Sequence, residues 1–273
     1  MSEVRSLFSC RCVDPPDPAV HPLLPVGRVA ALSRYPVKSL AGERLSQALL
    51  TDSGVDGDRG WAVYTTDGGI GSGKTTRRFR RIDGLLDLGA RLERAAPTSA
   101  AAVPWVSFPD GREYRADDPA AGHALSSSLG QPLRLCPQSS VPHHDESPVH
   151  LVTTAALRAL EHLLGRPVDA ARFRANVVLD VDGTGFVEDE WQGRHLALGD
   201  EVVLCLGPPM PRCVMVDAAQ PHDGLAPETG LLKLLGRVHQ VQFGVQAGVV
   251  RGGTVRQNDL AALIGAVAFA DPS

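Results

Sequence analysis

Lysine is nearly missing from this chain: Lys38, Lys74 and Lys233 stand among 27 basic residues, and the rest are arginine. An arginine-dominated set suits bidentate recognition of phosphate or carboxylate. Excess charge is missing too. A formal charge of -4 over 273 residues leaves no basic field to recruit nucleic acid or an anionic membrane. No apolar run approaches the ~18 residues that span a bilayer. The N-terminus lacks the basic start and apolar core of a secretory signal. The five cysteines are scattered and odd in number, so they make no disulfide framework. A reduced, cytoplasmic compartment with free thiols is the expectation.

What is present is an ordinary globular composition, 43% hydrophobic and 21% charged. It is enough for one large domain or two modest ones. Residues 1–25 are rich in Pro, Asp and Ser and read as an arm. Cys10-Arg11-Cys12 within it is a thiol pair without further metal ligands. From Val26 onward short strand signals recur: Val26 to Leu32, Leu45 to Leu50, Trp61 to Tyr64, Leu85 to Leu92, Trp105 to Phe108 and Glu113 to Arg115. Pro109-Asp110-Gly111-Arg112 reads as a hairpin turn. Short strands joined by glycine-rich turns predict a sandwich or barrel. Asp118 to Leu129 predicts a helix closed by Gly130, followed by a strand from Leu133 to Cys136. Pro137 to Pro148, carrying His143-His144-Asp145-Glu146, reads as a solvated connection. After a strand at Val149 to Val152, Thr153 caps an amphipathic helix from Ala155 to Leu164, with Gly165 at its end. Thr229 to Leu235 predicts a last short helix.

Several loops carry chemistry. Pro208-Pro209-Met210-Pro211 reads as a rigid loop between strands that delivers Arg212 and Cys213. A guanidinium beside a thiol favours the thiolate, which is both nucleophile and soft metal ligand. The alternative is a small buried apolar residue. Gly68-Gly69-Ile70-Gly71-Ser72-Gly73-Lys74-Thr75 matches the phosphate-loop pattern. No amphipathic helix follows it and no strand–helix alternation surrounds it, so nucleotide hydrolysis is not expected. Its open amides and Lys74 still suit a phosphate. Tyr35-Pro36-Val37-Lys38-Ser39-Leu40 and Gly54 to Trp61 add Lys38 and Arg59 on stiff turns. Arg172-Phe173-Arg174-Ala175-Asn176 adds Arg174. Converged, these cations make a site for a strongly anionic ligand.

In this order the stretches resemble the MOSC family, over roughly Val26 to Leu260. They run through the Lys38 turn, the Arg59 turn, Ser72 to Phe79, Arg172 to Asp180, Phe186 to Asp200 and Pro209 to Cys213. The resemblance implies a mainly β fold with peripheral helices (α+β). A β-barrel-like N-terminal domain, 26–137, would pack through a linker, 138–148, on a MOSC β-barrel domain, 149–273. It implies a molybdenum–molybdopterin cofactor with Cys213 as the thiolate ligand to molybdenum and catalytic centre. Lys38, Ser39, Arg59, Ser72, Gly73, Lys74, Thr153, Arg174, Asn176 and Arg212 would hold the pterin and its phosphate. Asp189 lies in a family-like acidic loop and is a candidate to stand near the metal. The implied activity is two-electron reduction of small N-hydroxylated or N-oxide-type molecules. With no cysteine after Cys213 a built-in iron–sulfur cluster is not expected, so a separate iron–sulfur, flavin or haem protein would supply electrons. The competing expectation is a carrier of the cofactor, or of sulfur on Cys213, without turnover.

Overall fold

The computed structural model describes residues 22–93 and 102–265. Cys10-Arg11-Cys12 and most of the N-terminal arm lie outside the described residues. The chain is mostly β, with helices on the periphery, as expected. Seven strands close into a barrel: β1 (Leu23–Arg34), β2 (Val149–Thr153), β3 (Val177–Asp180), β4 (His195–Leu198), β5 (Val202–Pro211), β6 (Gln242–Arg251) and β7 (Leu260–Ile264). Their order is β3-β2-β6-β5-β4-β7-β1, and β1 pairs back on β3 to complete the ring. Closure leaves no exposed barrel edge. Every pair is antiparallel except β2–β3. That parallel pair needs a crossover, supplied by the helix Thr154–Leu164.

The pattern behind the ring is alternation. In β5, Val202, Leu204 and Leu206 face the barrel core, while Val203 packs in a separate cluster on the other face. In β2 and β3, Leu151, Val177 and Leu179 face inward. Val152 and Val178 face outward into a layer with Leu160, Phe173, Leu235 and Phe243. That layer seats the helices Thr154–Leu164 and Leu231–Val238. The last helix thus starts later than expected from Thr229, because Gly230 sits at its start with a left-handed φ of 95°.

The second unit holds one core between two small sheets. One contains Trp61–Thr65, Ile70–Ser72, Phe79–Arg81 and Leu133–Pro137. The other contains Gly89–Arg91, Trp105–Ser107 and Glu113–Arg115. The Trp105 hairpin turns at Gly111, whose φ of 84° a side chain would resist. The helix Pro119–Leu129 follows, with Asp118 accepting from the Ala120 N–H at its start and Gly130 left-handed at its end.

The structure corrects four local expectations. The first strand begins at Leu23, and a 3-10 turn, Leu85–Asp87, interrupts the run read as a strand. The proline run is strand rather than loop. Pro209 opposes Val245 and Pro211 opposes Gln242, with register shifts on either side of Pro209. Those bulges absorb the missing proline N–H groups. Cys205 is disulfide-bonded, whereas Cys136 and Cys213 are free.

Candidate functional site

Ser72 ends the strand Ile70–Ser72 and Gly73 follows it; the strand pairs antiparallel with Trp61–Thr65 and parallel with Phe79–Arg81. No helix opens after Lys74, so backbone amides do not converge on a phosphate as in a nucleotide-binding loop. Lys74 instead points to a cleft between the two units.

The cleft encloses about 820 Å³ with its open mouth. Its wall brings together eight of the residues singled out by the sequence: Lys38, Ser39, Arg59, Lys74, Arg174, Asn176, Arg212 and Cys213. Ser72, Gly73 and Thr153 do not line it. Thr153 is fully buried, accepts from the Ala156 N–H as helix cap, and donates to Glu188 Oε2 at 2.7 Å. Asp189 lies outside the lining as well; its Oδ2 takes a 2.5 Å bond from His239 Nε2.

Tight turns position the cations. The Arg59 N–H donates to the Tyr35 carbonyl at 2.7 Å, and the Tyr35 N–H donates to Asp58 Oδ1 at 2.7 Å. These bonds lace the Lys38 turn to the Arg59 turn. The Lys38 N–H donates to the Trp61 carbonyl at 2.8 Å. Ser39, Arg59 and Arg174 all have left-handed backbones, with φ of 67°, 52° and 53°. Three such non-glycine residues on one wall are costly and require a surrounding structure that holds them. Tyr35 braces two of them: its ring lies 4.2 Å from the Arg174 guanidinium and 5.1 Å from that of Arg59. Phe79 does the same for Lys38, at 4.5 Å, and Lys74, at 5.5 Å.

Arg174 is the least satisfied group. Both terminal nitrogens are buried without a hydrogen-bond partner among the described residues. Arg212 donates Nη2 to the Phe173 carbonyl at 2.8 Å, but its Nε has no partner. Burial pulls both guanidinium groups down to about 10, so both are charged at neutral pH. Burial likewise lowers Lys38 to about 8, with Asp145 offsetting part of the effect. Asn176 serves the frame: Oδ1 accepts from the His150 N–H at 3.1 Å, and Nδ2 donates to the Ser33 carbonyl at 3.3 Å. The Arg172 guanidinium is consumed by the carbonyls of Val216, Ala218 and Ala226.

The connection read as solvated is part of the site. His143 is fully buried; its Nδ1–H donates to the Arg59 carbonyl at 2.8 Å and its Nε2 accepts from Tyr64 Oη at 2.9 Å. Burial holds it neutral, at about 4. This anchor delivers Asp145, which bonds Lys38 and faces Lys74. Sequence alone offered only the His-His-Asp-Glu cluster as a signal; its burial depends on Tyr64 and Arg59, far away in the chain. His150, also in the lining, carried no signal of its own; its Nε2–H donates to the Phe243 carbonyl at 3.2 Å.

Cys213 follows the bulged end of β5 and precedes the 3-10 turn Val214–Val216. Its free thiol lines the same cleft as the cations. Among the described residues no group of three or more His, Cys, Asp or Glu side chains forms a metal site. Of the described residues lining the cleft, Cys213 is the one cysteine, set among its cations.

Residues 26–106 match the family model of the MOSC N-terminal beta barrel domain, and residues 138–261 match that of the MOSC domain. Human mitochondrial amidoxime-reducing component 1 is 26% identical over 247 residues, covering 76% of this chain and 68% of that protein. Among solved structures, the YUAD protein from Bacillus subtilis superposes with a TM-score of 0.50 at 11% identity. That match covers 90% of this chain and 100% of the other, and it is a likeness of fold.

Proposed function

This chain belongs to the MOSC-domain family, and we propose that it is a molybdenum-cofactor oxidoreductase reducing small N-hydroxylated or N-oxide-type molecules. The carrying observation is that the free Cys213 thiol shares one wall with Arg174, whose two terminal nitrogens are buried and unpartnered. Buried unpaired donors of that kind are expensive unless an anion completes them. A phosphate-bearing pterin would do so, and its dithiolene would add further soft sulfur donors beside Cys213. The similarity to the amidoxime-reducing component points to the same class of reaction.

Cys213 would bind the metal through its sulfur. Arg174 and Arg212 would hold the anionic tail, with Lys38, Ser39, Arg59 and Lys74 completing its charge. When bound, the cofactor supplies two-electron oxygen-atom chemistry. The balance of the reaction is simple: an N–OH group takes up two electrons and two protons and leaves as N–H and water. Electrons come from a separate redox protein of iron–sulfur, flavin or haem type. Asn176 and Tyr35 keep the strained cationic turns in register.

Expression in a host that makes the cofactor, followed by metal and pterin analysis, tests this reading. One molybdenum and one pterin per chain are expected, with Cys213→Ala losing metal. Molybdenum well below stoichiometry, unchanged by that substitution, overturns it. Full loading without turnover of any N-hydroxylated compound under a chemical reductant favours the carrier instead. A persulfide mass increment on Cys213 favours sulfur handling.

A further inference from the structure

Cys213, Val214 and Met215 are consecutive, yet they serve two different hollows. Cys213 lines the cationic cleft, Val214 lines a second groove, and Met215 lines both. The groove encloses about 650 Å³ with its mouth. One side comes from residues 81–87 of the second unit and the other from residues 214–219 after β5. Small-molecule sites favour such junctions between units.

The two hollows differ in chemistry. The groove has an apolar floor of Ile82, Leu85 and Leu86, with Ala218 and Ala219 opposite and the Asp87 carboxylate at its edge. Its one arginine, Arg81, is paired with Asp83 at 2.9 Å on the rim. Val214 is 44% exposed on the opposite wall. Gly73 explains why the partition can stand where it does. A Cβ on Gly73 would sit 2.3 Å from Met215 Cγ and 3.0 Å from its sulfur. The missing side chain lets the Met215 thioether lie across the Gly73 backbone, between the groove and the cleft. Methionine there is a soft wall, able to re-pack around differently shaped contents.

We propose that this groove seats the carbon skeleton of the substrate, with the N–O head reaching past Met215 toward Cys213. This rests on the oxidoreductase reading above. The occupant is an apolar body without negative charge, such as an aromatic ring or short alkyl chain. An anionic body would find no free cation on that wall, because Arg81 is taken by Asp83 and the other charged group there is the Asp87 carboxylate, and it would be desolvated without compensation. Val214 and Met215 therefore set which N-hydroxylated compounds bind, while the cationic cleft is left to the anionic cofactor.

Acetamidoxime and benzamidoxime share the N–O head and differ in the apolar body, so they serve as the probes. The chain has three methionines, and Met210 lines only the cleft. Methyl-labelled methionine spectra of the full chain, with and without molybdenum, then report the two hollows separately. Benzamidoxime is expected to shift the Met215 methyl and leave Met210 in place, with acetamidoxime shifting neither at the same concentration. Val214→Asp is at an exposed position and puts a charge in the groove. It should weaken benzamidoxime binding about tenfold or more. In the loaded protein it should raise KM for benzamidoxime to match, and by several times more than it raises KM for acetamidoxime. Met210 responding instead of Met215, or a Val214→Asp midpoint within twofold of the parent, overturns the proposal. Loaded protein that turns over neither compound sinks the oxidoreductase reading alone, because the methyl shifts still decide the groove.

Discussion

Asp145 Oδ2 lies 2.9 Å from Lys38 Nζ, and Asp145 Oδ1 lies 3.7 Å from Lys74 Nζ. The lysine is 2% exposed and the carboxylate 41%. A carboxylate at the mouth thus balances cations at the wall, and any incoming anion meets it. Lys38 and its neighbours Lys74 and Arg59 bring Asp145 down to about 2 against the upward effect of its burial, so it is charged throughout the neutral range.

Removing that charge should favour anions. Asp145→Asn is expected to tighten binding of pyrophosphate by roughly threefold, about the worth of one partly exposed ion pair. The gain should shrink as salt rises, since screening weakens exposed charges first. Calorimetric titration at two ionic strengths measures both. Weaker binding in the variant would mean that Asp145 orders Lys38 and Lys74 more than it competes with their ligand.

The lysine itself titrates in an accessible range. Burial places Lys38 at about 8 in the folded protein, below its ordinary 10.5. The proton is lost as pH rises through about 8, and with it one positive charge facing the cleft. Pyrophosphate affinity should therefore drop, as pH rises from 7 to 9, below the course set by the ligand's own ionisation, which alone would tighten binding. Lys38→Met should remove that excess dependence and start from the weaker affinity. Titrations across the range in both proteins check it.

Much of the site was legible because its cations sit in short turns whose composition shows them: proline at 36, glycines around Arg59, and alternating Arg and Phe before Asn176. The barrel was legible as strand number and turn chemistry, while its closure was not. β1 pairs with β3 and β7 across long stretches of chain, and no local pattern encodes that. The burial of His143, in a segment read as solvated, was hidden for the same reason. The proline run misled because bulges let a strand carry prolines. The glycine-rich run before Lys74 imitates a phosphate loop locally, but the strand Phe79–Arg81 takes the place of the helix that would give it function.

Glu188 shows how Thr153 serves the fold. Burial raises this carboxyl to about 7 against the opposing hydrogen bond from Thr153. Its folded value lies above the ordinary 4.5, so the folded state binds the extra proton between those limits. Stability from this group is full below about 4.5 and is lost as pH climbs through 7. The swing is on the order of 3 kcal/mol. Glu188→Gln, keeping an acceptor for Thr153, should flatten the fall in stability between pH 4.5 and 7. Urea midpoints at several pH values provide the comparison, and an unchanged slope in the variant would place the proton elsewhere.

Arg174 separates function from stability most sharply. Its backbone is left-handed at φ 53°, its guanidinium is buried, and its two terminal nitrogens have no hydrogen-bond partner among the described residues. Its contact with the Tyr35 ring offsets only part of that cost. A residue kept for the fold would destabilise on removal; one kept for a ligand would not. Arg174→Met retains the apolar stem over Tyr35 and discards the buried charge. The protein without ligand should keep its melting temperature or gain up to a few degrees, about 1 kcal/mol or more of relief. Pyrophosphate affinity should fall about tenfold or more, the worth of a charged hydrogen bond. Thermal scans with and without pyrophosphate read both quantities in one experiment. A variant that melts far lower yet binds the anion as before would make Arg174 a structural residue and leave Arg212 as the principal buried cation beside Cys213.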